Sequence, residues 1–140
     1  SIPTPGVPVE AEEYKNNNGQ YLIDLASNED INALGGGVLY KVLESGEGKA
    51  NVTPRSIVTC SCKGSLISGK VFDNLFERGC PEAFSVNDLI EDFQMALCNM
   101  HIGDHWEVCI PWQQGYGKRS DADIPGYSTL IFEIQLLGIA

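Results

Sequence analysis

The sequence predicts an α+β fold, a mostly antiparallel sheet with one face covered by a single amphipathic helix. Two observations carry this expectation. Apolar and polar residues alternate with period two near 57–62, 105–110 and 129–137, as half-buried strands require. One apolar stripe at helical spacing, from Leu89 to Met100, stands among them, and a lone helix among antiparallel strands must bury that stripe against the sheet.

Each element follows in order. Residues 1–9, SIPTPGVPV, hold three prolines and a glycine, so they read as an extended leader or tether and not as helix interior. From 10 to 34 the apolar positions are sparse: Tyr14, Tyr21, Leu22, Leu25, Ile31 and Leu34. Their spacing predicts one or two short helical turns, interrupted at Asn16-Asn17-Asn18-Gly19, and Gly35-Gly36-Gly37 ends any regular element. Val38–Leu43 is a first strand, closed by the Gly-containing stretch 44–48. Ile57–Cys62 is a second, with Val58, Cys60 and Cys62 on one face, and Ser68-Gly69 turns the chain into a short strand ending at Asp73. The helix stripe is Leu89, Phe93, Ala96, Leu97 and Met100, with Asn87 or Asp88 to cap its start and Gly103 to end it. Trp106, Val108 and Ile110 share one face of the next strand. A long loop, 111–128, contains Gly115, Gly117, Pro125 and Gly126, and Thr129–Leu137 is the last strand.

Composition narrows the function. The chain has 140 residues, 43% hydrophobic and 20% charged, which suits one domain, or one domain with an appendage, and a packed core. Its formal charge of −10 argues against nucleic acid as a partner, because phosphate binding needs a basic face. No apolar run is long enough to span a membrane. The five cysteines, Cys60, Cys62, Cys80, Cys98 and Cys109, form no Cys-x-x-Cys pair. An odd count leaves at least one free in a monomer, and most read as small buried hydrophobes.

Other motifs resolve into plainer readings. Residues 64–71 resemble a phosphate loop, but Val71 stands where a Mg²⁺-holding hydroxyl belongs and a strand follows in place of a helix. A hairpin turn explains both glycines. Cys60 and Cys62 share a strand face, and core packing explains them better than a metal. No Gly-x-Ser-x-Gly elbow is present, and His101 and His105 have no evident nucleophile beside them, so covalent hydrolysis is not expected.

A dispersed constellation is more informative: Phe72-Asp73, Leu89-Ile90, Phe93, Gly115-Tyr116-Gly117, and Ile124-Pro125 ahead of Phe132. With Gly-Val-Leu-Tyr-Lys-Val-Leu-x-x-Gly-x-Gly at 37–48, Lys-Gly-x-Leu-x-x-Gly-Lys-x-Phe-Asp at 63–73, Ile-Gly at 102–103, Ile-Pro at 110–111 and the run 124–137, the chain resembles the FK506-binding-protein family of peptidyl-prolyl isomerases over 37–137. The resemblance implies a twisted antiparallel half-barrel wrapped around the 88–100 helix, with a shallow apolar pocket between them. It divides the chain into an N-terminal tether and short helical extension, 1–36, and an isomerase domain, 37–140. It implies catalytic roles for Asp73, as a buried carboxylate facing the twisted amide, for Tyr116, whose hydroxyl holds the peptide, and for Phe132. Phe72, Leu89, Ile90, Phe93, Ile124 and Cys62 would bind substrate, the N–H of Ile90 donating to a substrate carbonyl.

Three positions depart from the family pattern. Phe93 replaces the tryptophan that floors the pocket, Cys62 replaces a strand tyrosine that steadies the aspartate, and a further aromatic wall position falls at Glu82 or Ala83. These changes predict a deeper, looser pocket, an Asp73 less firmly held, weakened macrolide binding and weaker catalysis.

The expected activity is rotation about X–Pro bonds. Resonance sets a barrier of about 18–20 kcal/mol, no bond breaks, and neither cofactor nor metal is required. A dry aromatic pocket with a few placed polar groups favours the orthogonal amide, and a thousandfold gain needs only about 4 kcal/mol. The partners implied are proline-containing unfolded or partly folded polypeptides, with no nucleic acid. A non-catalytic peptide-binding or chaperone module on the same fold is the alternative. The Pro-rich leader resembles the spacer of exported bacterial members, so the expectation is the bacterial periplasm or cell envelope, with a lipid anchor upstream and a monomer preferred to a dimer. The odd thiol count favours the cytoplasm as the alternative.

Overall fold

The computed structural model describes residues 9–74, 79, 81–121 and 123–140. The leader before Val9, and Cys80, lie outside them. In chain order the elements are α1 (Val9–Ala26), β1 (Ile31–Gly35), β2 (Val38–Glu44), β3 (Ile57–Ser65), β4 (Val71–Asn74), β5 (Glu82–Ser85), a 3₁₀ turn (Val86–Asp88), α2 (Glu91–Cys98), β6 (His105–Ile110) and β7 (Leu130–Ile139).

Every strand pairing is antiparallel, in the order β1-β2-β6-β7-β3-β4, with β5 added to β3. The predicted α+β class is therefore the observed one, and the sheet is open. Alternation sets the register. Val58, Cys60 and Cys62 of β3 and Leu130, Phe132, Ile134 and Leu136 of β7 are buried, and so are Trp106, Val108 and Ile110 of β6. They meet Phe93, Ala96 and Leu97 of α2, with Met100 just beyond it, in one core. Residues 66–70 form the hairpin turn between β3 and β4, closed by Leu66 N–H to the Lys70 carbonyl at 2.9 Å, so the turn explains Gly69, whereas Gly64 lies within β3.

Two elements differ from expectation. The segment read as broken helical turns is one helix of 18 residues. Asparagine favours caps and turns because its side chain competes for backbone hydrogen bonds. Here the side chain is held by a distant partner: Asn18 is fully buried, and its Oδ1 accepts the Thr129 N–H at 2.7 Å, while its Nδ2 donates to the Tyr14 carbonyl at 2.8 Å. The glycine triplet does not end the regular structure. It turns β1 into β2, with φ of 100°, 62° and 83° at Gly35, Gly36 and Gly37, values that glycine adopts without steric cost. The expected boundary at 36/37 thus falls inside a hairpin of the sheet.

The second helix is shorter than its stripe. Leu89 lies between the 3₁₀ turn and α2, and Ile90 is the cap residue, φ −59° and ψ 148°, with no side-chain cap from Asn87 or Asp88. At the other end Asn99, not Gly103, closes the helix. Gln94 secures the start instead: its Nε2 donates to the Leu89 carbonyl at 2.7 Å and its N–H to the Ile90 carbonyl at 3.0 Å. The two helices lie on opposite faces of the sheet. Tyr21 of α1 is near Cys109 and Glu107, which alternate along β6 with the core-facing Trp106, Val108 and Ile110.

Candidate functional site

A cavity of about 260 Å³ opens where α2, its preceding turn, the inner sheet face and the 111–128 loop converge. Phe93 from α2 and Phe132 from β7 form its apolar wall, each 8% exposed. Their rings meet edge to face, centroids 5.4 Å apart and planes at 80°, a favoured arrangement of aromatic quadrupoles. Cys62 of β3 and Leu89 continue the wall, with Asp73 at the end of β4 as a half-buried carboxylate. Ile90 and Tyr116 border the mouth, 44% and 49% exposed.

Seven of the nine side chains expected at the site therefore share one cavity: Cys62, Asp73, Leu89, Ile90, Phe93, Tyr116 and Phe132. Phe72 and Ile124 do not line it. Phe72 stands edge to face against Phe132 at 5.7 Å and over Gly64, where an added Cβ would lie 2.5 Å from its ring. It is partly buried and packs against the core beside the Phe132 wall. Ile124 is 6% exposed and packed into the core. Asp73, expected as a buried carboxylate, is only half-buried.

Two lining residues were missed. The aromatic expected at Glu82 or Ala83 is Phe84, set by the pairing of Phe84 with Val58 across β5 and β3. Glu82 and Ala83 are exposed. Asp88, exposed in the 3₁₀ turn, adds a second carboxylate at the rim. No sequence signal marks Phe84: Glu-Ala-Phe-Ser does not alternate with period two, and four residues are too few to fix a strand.

Two buried thiols of the sheet, Cys60 and Cys109, are poor nucleophiles. Burial pushes Cys60 up to about 12, with Cys62 and Glu82 adding to the rise. Cys109 is likewise pushed up to about 12, by burial and then Glu107. Neither can ionise near neutral pH, as a nucleophile must.

This geometry defines an α+β half-barrel with a small apolar site carrying carboxylates and a phenol. The FKBP-type peptidyl-prolyl cis-trans isomerase family model matches residues 48–137, and the chain belongs to that family. It is 40% identical over 121 residues to the FKBP-type 22 kDa peptidyl-prolyl cis-trans isomerase of Escherichia coli K12, covering 86% of this chain and 58% of that one. It is 36% identical over 130 residues to the outer membrane protein MIP of Legionella longbeachae, covering 92% of this chain and 55% of that one. Among solved structures, FkpA from Escherichia coli superposes with a TM-score of 0.84 at 32% identity, covering 93% of this chain and 61% of FkpA. The chain thus spans little more than half the length of these two curated relatives.

Proposed function

We propose that the chain catalyses cis–trans isomerisation of X–Pro bonds in unfolded or partly folded polypeptides. The observation that supports this best is the gathering of Phe93, Phe132, Asp73 and Tyr116, from four separate parts of the sequence, around one apolar cavity. At about 260 Å³ it lies just below the ~300–1,000 Å³ usual for drug-sized ligands, a size suited to a prolyl ring with the residue before it. Phe93, Phe132 and Phe84 strip water from the ring and its amide. Planar amides are polar and well hydrated, so a dry site favours the twisted form in which conjugation is lost. The Asp73 carboxylate faces the rotating amide, the Tyr116 hydroxyl holds a peptide carbonyl, and the Ile90 N–H, at the open start of α2, donates to another. These groups select the orthogonal geometry over either planar one.

The test is a protease-coupled assay on a short X–Pro peptide. Turnover well above the uncatalysed rate, abolished in Phe132→Ala and reduced in Asp73→Ala, is expected. A rate at background, with peptide binding retained, would replace catalysis by a binding or folding-assistance role. The name of the outer-membrane relative supports a place in the bacterial envelope, and among the described residues no helix is long and apolar enough to cross a membrane. Fractionation of the native host checks this.

A further inference from the structure

The loop that carries Tyr116 is bound to α1, from the opposite side of the sheet, by a set of buried contacts. Asn18 is fully buried. Its Oδ1 accepts the Thr129 N–H at 2.7 Å, and its backbone carbonyl accepts the Thr129 hydroxyl at 3.2 Å. The β6–β7 ladder ends at Ile110 and Leu130, and the carbonyl of the next residue, Pro111, is taken by the N–H groups of Gln114 and Gly115. Asn18 thus supplies the acceptor for the amide just beyond the ladder. One turn earlier, the Tyr14 hydroxyl lies 2.6 Å from Ser128 Oγ. The Ser128 proton is committed to the Pro125 carbonyl at 2.6 Å, so Tyr14 is the donor.

These bonds hold the return stalk of the loop. Tyr127 sits next to Ser128 with φ 66°, the one positive φ outside glycine among the described residues. A bulky residue keeps that conformation only where its surroundings impose it. The Tyr127 ring packs edge to face on Trp112 of the outgoing stalk, centroids 4.9 Å apart, and Lys15 Nζ lies 5.3 and 5.7 Å from the two rings. In that conformation the Tyr127 N–H reaches the Gly117 carbonyl at 2.9 Å, while the Gly117 N–H reaches the Trp112 carbonyl at 2.9 Å. Gly117 is bonded directly to Tyr116.

We propose that α1 is part of the active site's support: Asn18 is a positioning residue that, through Thr129, Tyr127 and Gly117, fixes Tyr116 at the mouth of the cavity. The proposal rests on the isomerase reading for its kinetic consequence and on geometry alone for its structural one. Amide hydrogen exchange tests the geometry without substrate. In Asn18→Ala, exchange at Tyr127 and Gly117 should rise about tenfold or more while Val108 and Ile134 in the ladder keep their protection, since local opening is independent of global unfolding. Tyr14→Phe, which removes a single hydroxyl, should give the same pattern at smaller amplitude, and it serves if Asn18→Ala fails to fold. Unchanged exchange at Tyr127 and Gly117, or an equal rise at every amide, overturns the proposal.

The kinetic arm follows. Asn18→Ala should lower kcat about threefold with KM within about twofold, and that loss should vanish in a Tyr116→Phe background, because coupled residues are non-additive. A loss that persists there also overturns it. Wild-type turnover at the uncatalysed rate counts against the isomerase reading instead, and the exchange measurement then decides the coupling by itself.

Discussion

The cavity has two kinds of wall. Phe93 and Phe132 lie on regular elements and are each 8% exposed, whereas Ile90 and Tyr116 lie on a helix cap and a loop and are 44% and 49% exposed. The first pair belongs to the core that makes the domain fold, so their positions are fixed by the same packing that fixes α2 on the sheet. The second pair adds little burial, and its geometry depends on hydrogen bonds and loop contacts. A site built this way has a rigid apolar wall and an adjustable polar mouth, and substitutions should separate the two. Those in the wall should lower stability and activity together. Those at the mouth should lower activity alone.

The largest effect should come from Phe132→Ala. Truncating a buried phenyl costs about 3–5 kcal/mol, and this ring also meets both Phe72 and Phe93 edge to face. Denaturant unfolding should show that loss alongside absent turnover. Near-wild-type stability would mean that the ring is not part of the core, and the distinction between the walls would fail.

Gly64→Ala is the next in size and sharper in meaning. A Cβ there would stand 2.5 and 2.6 Å from two atoms of the Phe72 ring and 3.1 Å from Phe132. Overpacking of this kind costs about 1–3 kcal/mol, so a lowered melting temperature is expected, recovered in part when Phe72→Leu removes the obstructing ring. Absence of that recovery would place the strain elsewhere.

The buried thiols probe the framework by pH. Cys60 and Cys109 are raised from an ordinary value of 9.0 to about 12. Between those values the unfolded chain has lost the thiol protons and the folded chain has kept them. Stability is therefore intact below pH 9 and falls as pH rises toward 12, by about 1.4 kcal/mol per pH unit for each thiol. Tyr21 is also raised, by burial first and then Cys109 and Glu107, so its loss has the same sign. Urea titrations at pH 8 and 10 should show the fall, smaller in Cys109→Ala. An equal fall in that variant would show that Cys109 is open to solvent.

The same division explains what the sequence could show. Strands β3, β6 and β7 were legible because one face is buried, and burial of one face forces alternation. The wall residues on them followed from the motifs that contain them. Helix α1 was hidden, because Asn16-Asn17-Asn18-Gly19 opposes helix by local propensity, and a contact 111 residues away, to Thr129, overrides it. Leu89 misled in the opposite direction. Its spacing from Phe93 fits a helix, yet it lies ahead of the cap. Phe72 and Ile124 carry family motifs but pack in or against the core and are not among the cavity's lining residues, since a motif fixes a residue's place in the chain and not the direction its side chain finally takes. Nothing in the residues around Tyr127 announces a positive φ.

Tyr116→Phe should have the smallest effect on stability and gives the cleanest separation. The ring is half exposed, so removing its hydroxyl should shift unfolding by no more than about 0.5 kcal/mol. If the hydroxyl holds the peptide only while the amide is twisted, its loss removes an interaction specific to the transition state. Turnover on an X–Pro peptide should then fall about tenfold in kcat, equivalent to about 1.4 kcal/mol. If the hydroxyl binds planar and twisted amides alike, KM rises and kcat does not change, which would make Tyr116 a binding residue and leave the selection of the twisted form to Asp73 and the aromatic wall. Running the assay against Phe132→Ala completes the comparison: one variant loses catalysis with its fold intact, the other loses both, and a reversal of that pattern would show that the mouth and not the wall holds the domain together.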